Sequence, residues 1–274
     1  MSRIASDGSG YAMNRISRHL KSSAAKELRI IPIALGEEVK PGDSVSEKLM
    51  AAVGRIPISL TRGDVLVVKH KIISKAEGQL LDLASVRPSA SSLAWGRRYG
   101  LDARVTELAL AESQRVVRRK RGVLITQTHH GFICANAGVD LSNVDGGKHA
   151  LLLPQNPDRS AQKLRRALMR KWQVDLAIII SDSFGRPWRE GLTEVAIGVA
   201  GMKALHDYRG RYDPHGYQLR VSLEAVADEL ACAAGLVCGK LARTPACIIR
   251  GFKYQAGRGR ARDLIRPACN DLFR

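Results

Sequence analysis

The sequence predicts a mixed α+β fold, and three observations carry that prediction. Short apolar, β-branched runs at residues 65–68, 175–180 and 246–251 read as buried strands. Segments with helical spacing or helix caps lie before and between them, at 45–53, 102–113, 158–172 and 223–236. Strands and helices intermix without the regular βαβ period of a doubly wound parallel sheet.

The elements follow in order. A strand-like run at 28–33 comes first, after a polar stretch. Pro41-Gly42-Asp43-Ser44 supplies a turn and an N-cap for the helix at 45–53, with Leu49 and Val53 on one face. Gly63-Asp64 turns into the strand at 65–68, and the next residues read as a loop bearing Ser74 and Lys75. A strand-like stretch at 79–83 and a capped helix start at 88–94 precede the helix at 102–113. Residues 122–126 and 131–135 pair as a hairpin, with His129-His130 at its turn. Asp158-Arg159-Ser160 caps a helix running to Trp172, and the strand at 175–180 ends at Ser181-Asp182. Residues 193–205 are rich in Gly and Ala, and Gly191, Gly198 and Gly201 permit close backbone packing. A strand-like 218–221, an Ala-rich helix at 223–236 and the strand at 246–251 complete the pattern.

Composition narrows the function. No apolar run approaches the roughly 20 residues of a membrane helix, and the N-terminus has no apolar signal core, so the expected location is cytoplasmic. Cys134, Cys232, Cys238, Cys247 and Cys269 are scattered without a C-x-x-C pair. That argues against a zinc knuckle and fits a reducing compartment. The net charge of +18 favours anionic partners, whether nucleotides, a polyanionic substrate or nucleic acid. The basic residues recur along the whole chain, as solvated faces also produce. No aromatic-interleaved run or zinc-finger spacing supports nucleic-acid recognition, which leaves a basic nucleic-acid-binding protein as the weaker alternative.

The familiar phosphate motifs are missing. Gly235-Leu236-Val237-Cys238-Gly239-Lys240-Leu241 is one residue short of a Walker A loop and has Leu241 where the metal-binding hydroxyl belongs. Gly257-Arg258-Gly259 lacks the third glycine of a dinucleotide fingerprint. Two other stretches carry the chemistry: Asn136-Ala137-Gly138-Val139-Asp140-Leu141-Ser142-Asn143 and Ser181-Asp182-Ser183-Phe184-Gly185-Arg186-Pro187-Trp188-Arg189. Each sets hard oxygen donors in a glycine-punctuated turn. The second adds Arg186 and Arg189, the combination a magnesium-bound phosphate needs.

These stretches resemble the coenzyme F420-0:L-glutamate ligase family. Gly63-Asp64-Val65-Leu66-Val67-Val68, Ile73-Ser74-Lys75-Ala76-Glu77-Gly78, Leu152-Leu153-Pro154, Ala196-Ile197-Gly198, Asp207-Tyr208-Arg209-Gly210 and Ile249-Arg250-Gly251 continue the resemblance in order, from about Ile30 to Gly251. It implies a mixed-sheet, two-lobed fold, an intertwined homodimer, and a ligase region over 28–252 between a basic N-terminal extension at 1–27 and a basic tail at 253–274. It also implies a GTP-dependent γ-glutamyl ligase that acts on coenzyme F420-0 and L-glutamate through an acyl phosphate, uses Mg2+ or Mn2+ and is helped by K+. By the resemblance, Asp140 and Asp182 bind one divalent ion and Ser183 a second, while Asn143 contacts GTP. Lys75, the loop of Ala34, Leu35, Gly36 and Glu37, and the backbone around Leu236 and Gly239 line the nucleotide site. Arg186 and Arg189 are assigned to phosphate or substrate carboxylate on charge alone. Ser183 stands where the family usually has threonine, and Lys240 where it often has an acidic or amide residue. A related ligase acting on another phospho-acid is the remaining alternative.

Overall fold

The computed structural model describes residues 27–142 and 144–272. Its centre is a five-stranded sheet in the order β1 (Arg29–Ile33), β12 (Ala246–Arg250), β2 (Val65–Lys69), β8 (Ala177–Arg186), β9 (Arg189–Ala200). β2 and β8 run parallel and the other neighbours antiparallel. The alternation of side chains along each strand splits the sheet between two cores. Leu66, Val68, Ile178, Ile180 and Ile248 face one core, with helices α1 (Val45–Val53) and α5 (Pro157–Trp172). Val65, Val67, Ile179, Cys247 and Ile249 face the other, under α6 (Val226–Cys238). A sheet covered on both faces explains why these strands read as continuous apolar runs.

The remaining strands form small satellite sheets: β4 (Ser113–Lys120), β5 (Val123–Thr128) and β6 (Ile133–Ala135) as a meander, β3 (Leu80–Asp82) with β7 (His149–Leu151), and β10 (His206–Asp207) with β11 (Leu223–Glu224). α2 (His70–Ala76), α3 (Ala90–Tyr99) and α4 (Ala103–Ala111) complete the helices of this account. Among the described residues no helix is long and apolar enough to cross a membrane.

Local chemistry sets most boundaries. Ser44 caps α1 by accepting from the Glu47 amide, and Asp102 caps α4 through the Arg104 amide. Four expectations need correction. The stretch after β2 is helical, because Ile72, Ile73 and Ser74 bury one side of α2. α5 is capped by Asn156, since the Asp158 carboxylate is engaged by the Val199 and Ala261 amides. The helix expected at 102–113 stops at Ala111, and Ser113 already opens strand β4, which pairs with β5. The strand at 175–180 does not end at Ser181-Asp182: it continues to Arg186 and turns back through Pro187-Trp188 into β9, with Trp188 at φ 57°.

Gly198 and Gly201 do allow close packing: a Cβ on Gly198 would stand 2.5 Å from the Pro157 carbonyl oxygen, and one on Gly201 would strike the Arg165 side chain. A Cβ on Gly191 would meet Arg186 Nη2 at 3.9 Å, an ordinary contact, so no close packing depends on it. The C-terminal stretch packs back on the sheet edge, where Lys203 N–H donates to the Gln255 carbonyl and Gly259 N–H to that of Met202. Residues 1–26, most of the expected basic extension, lie outside the described residues.

Candidate active site at the ends of two parallel strands

β2 and β8 lie side by side in register, with Lys69 opposite Ser181. The chain leaves β2 directly into α2, so His70 stands beside Asp182 at the carboxyl ends of the parallel β2–β8 pairing, and Lys71 reaches Asp140. In open sheets with parallel strands, ligands bind at those ends. Alternation along β8 then separates two clusters. Phe184 packs with the α1/α5 core, and Asp182 shares its face; Ser181 and Ser183 point to the α6 side.

The first cluster joins Asp140, Asp182, His70 and Lys71. Lys71 Nζ is 2.6 Å from Asp140 Oδ2 and also donates to Ser142 Oγ at 2.5 Å, while the Ser142 amide donates to Asp140 Oδ1 at 2.7 Å. His70 is buried, with Nδ1 3.2 Å from Ser74 Oγ and Nε2 3.2 Å from Asp182 Oδ1, out of line for a hydrogen bond. The Ser183 amide donates to Asp182 Oδ1 at 2.7 Å. Burial pushes the Asp140 carboxyl up, but the Lys71 contact and the Ser142 amide outweigh it and hold the group below its ordinary value. For Asp182 burial is again the largest influence, and it is overcome by His70 and the Ser183 amide, against a smaller repulsion from Asp140. Both groups stay carboxylates near neutral pH.

The second cluster centres on Glu194, which lies directly across the β8–β9 ladder from Ser183 and is 7% exposed. Its Oε1 accepts from Ser183 Oγ at 2.6 Å and stands 2.5 Å from Lys69 Nζ; its Oε2 accepts from Ser181 Oγ at 3.0 Å. Lys240 Nζ, beyond the end of α6, donates to Ser183 Oγ at 2.5 Å. Burial raises the Glu194 carboxyl, and the Lys69 and serine contacts more than reverse it. The small Gly235 makes room for it, since a Cβ there would stand 2.6 Å from Glu194 Cγ.

The other expected residues distribute as follows. Lys75, on the same helix as His70, reaches Glu38 Oε1 at 2.6 Å, next in sequence to the loop of Ala34, Leu35, Gly36 and Glu37. Gly239 ends α6 at φ 56° next to Lys240, and Leu236 one turn earlier is 86% exposed. Arg186 sits near the tip of the β8–β9 arm, where Nη2 donates to the Glu190 carbonyl at 2.7 Å. Its Nε is buried with no hydrogen-bond partner among the described residues. Arg189 is exposed beside the turn, and neither arginine contacts the two clusters. Asn143 lies outside the described residues. His130 serves the hairpin turn, with Nε2 2.9 Å from the Pro154 carbonyl and its ring stacked on Phe132.

Sequence reasoning missed Lys69, His70, Lys71 and Glu194. A lysine, a histidine and a second lysine directly after a buried parallel strand were the available signal. Glu194 had one too, as an acid opposite Ser183 in an antiparallel ladder.

Among the described residues no three His, Cys, Asp or Glu side chains gather as a ready-made metal centre. Magnesium needs less, being held by one or two carboxylates with phosphates supplying other ligands. The ionised Asp140 and Asp182 fit that requirement. The Glu194 cluster fits it poorly, since ammonium groups already contact Glu194 and Ser183.

A mixed α+β scaffold that buries ionised carboxylates at the ends of two parallel strands has the features of an enzyme site. The chain belongs to the F420-0:gamma-glutamyl ligase family, which it matches over residues 35–251. It is 42% identical over 252 residues to the coenzyme F420:L-glutamate ligase of Methanopyrus kandleri, covering 90% of this chain and 98% of that one. The proteins of the same name from Methanothermobacter thermautotrophicus and Methanocaldococcus jannaschii are 42% and 39% identical, each over 86% of this chain and over 94% and 92% of their own lengths.

Proposed function

We propose that the chain is a GTP-dependent ligase that joins L-glutamate to coenzyme F420-0 and then extends the tail through γ-linkages. Family membership supports the reaction class. The observation that carries the site is the pair of ionised Asp140 and Asp182, the one half-buried and the other mostly buried, against Lys71 and His70.

A carboxylate is a poor acyl donor, so the acid is first activated. Its oxygen attacks the γ-phosphorus of GTP, GDP leaves, and an acyl phosphate forms. The amine of glutamate then attacks the acyl carbon, phosphate departs with the former carboxylate oxygen, and the nitrogen sheds a proton. Such chemistry is mostly positioning and charge neutralisation. Asp140 and Asp182 would hold a Mg2+ or Mn2+ ion, which when bound polarises the transferring phosphoryl group. Lys71 and Lys75 supply fixed positive charge along one side of α2. Arg186, with its unpartnered Nε, supplies a donor for phosphate or acid. The 34–37 loop, Asn143, Leu236 and Gly239 border the nucleotide, K+ assists, and two copies pair as a homodimer in the cytoplasm.

Labelling the acid's carboxylate with 18O tests this route. We expect one labelled oxygen in the released phosphate for each amide formed. Label kept wholly in the product or lost to water would contradict it.

A further inference from the structure

The two serines of β8 and the glutamate of β9 on the α6 side carry an unusual charge count. One carboxylate, Glu194, and the hydroxyls of Ser181 and Ser183 are met by the ammonium groups of Lys69 and Lys240. All the oxygens a cation would use are therefore engaged: Glu194 Oε1 by Lys69 and Ser183, Glu194 Oε2 by Ser181, and Ser183 Oγ by Lys240. The local sum is one positive charge before any ion enters. The cluster of Asp140 and Asp182 differs, with two carboxylates facing one lysine and a histidine.

We propose that this chain carries the second cation of its site as lysine: Lys69 and Lys240 occupy the positive positions at Glu194 and Ser183, and only the Asp140–Asp182 cluster takes a divalent ion. The inference rests on the proposed nucleotide-and-metal reading of the site. It revises the sequence expectation that Ser183 binds a second ion.

Two features support fixed ammonium groups over a displaceable pair. Lys69 is held at a strand end with its side chain only 17% exposed, so its charge has little access to water and Glu194 is its direct counter-ion. Lys240 follows the C-terminus of α6, where a helix favours a positive charge. A divalent ion at Ser183 would have to displace the first lysine from its carboxylate or crowd the second.

The test counts bound metal. The full chain is equilibrated with Mn2+ and a saturating non-hydrolysable GTP analogue, and protein-bound Mn2+ is measured per chain after correction for free nucleotide. One Mn2+ is expected for the wild type and two for Lys240→Glu, which replaces an exposed ammonium with an oxygen ligand. Circular dichroism checks that the variant is folded, and Lys240→Gln provides a second one of neutral charge, expected to show a weaker second site. Two Mn2+ in the wild type with nucleotide bound, or Lys240→Glu remaining at one, overturns the inference alone. No Mn2+ or no retained nucleotide in the wild type overturns the underlying reading and the inference with it.

Discussion

Glu194 stays ionised in the middle of a β-ladder because four neighbours compensate its burial: Lys69, Ser181, Ser183 and, through Ser183, Lys240. Removing the charge while keeping the shape leaves Lys69 without its counter-ion. Glu194→Gln should therefore cost about 2–4 kcal/mol in urea unfolding, because a poorly hydrated charge is left unpaired. A variant within experimental error of wild type would show that the ladder pair is idle.

The same residues fix a pH dependence. Asp140, Asp182 and Glu194 all have folded values below the ordinary carboxyl range. Their stabilisation is thus fully present above that range and is lost as pH falls through the lowered folded values. Asp158 and Asp228, pushed up by burial, act in the opposite sense and favour the folded state as they take up protons. Acid unfolding followed by circular dichroism should begin at higher pH in Asp182→Asn than in the wild type, because the variant lacks the stabilisation that the ionised Asp182 supplies until pH falls through its lowered value. Coincident acid midpoints would contradict the assignment for Asp182.

At the scale of elements, the β8–β9 hairpin ties the sheet to the site. Its inner half is core, through Ile178 to Ile180 and Ile197 to Ala200, and its outer half carries the chemistry and the exposed Trp188 and Leu192. Gly198 sets how closely α5 approaches that hairpin, with no room for a methyl group against the Pro157 carbonyl. Gly198→Ala should destabilise by about 1–3 kcal/mol through overpacking. For a chain of this size that lowers the thermal midpoint by several degrees, at about 2–4 °C per kcal/mol. An unchanged midpoint would mean that α5 can shift without loss.

Much of this level was readable in the sequence. The apolar runs of β2, β8 and β12 and the cap Ser44 follow from local chemistry. Three features did not. Asp158 looks like a cap, but its partners Val199 and Ala261 are distant in the chain. His70 and Lys71 looked like loop residues, because a seven-residue helix is too short to show a period. Glu194 was invisible because its significance comes from the register that places it opposite Ser183. Asp140, Asp182 and Ser183 were recognisable since their oxygen donors sit in short glycine-punctuated motifs.

At the scale of the whole molecule, the two cores on either side of the central sheet make β2 and β8 a rigid base for both charged clusters. The exposed Trp188 and Leu192 at the outer end of the β8–β9 arm suit the proposed homodimer. Light scattering should find a dimer for the wild type and a raised monomer fraction for a Trp188→Ala, Leu192→Ser double variant; a monomeric wild type would remove that part of the proposal. The charge of +18 suits the proposed anionic substrates, GTP and a phosphorylated acid.

Product mass distinguishes ligation from bare GTP hydrolysis. Incubating the full chain with F420-0, L-glutamate, GTP and Mg2+ or Mn2+ should give F420-0 carrying glutamyl residues, one GTP consumed per residue added, and no product from Asp182→Asn. GTP consumption without a glutamylated product, or no product with either metal, would contradict the account.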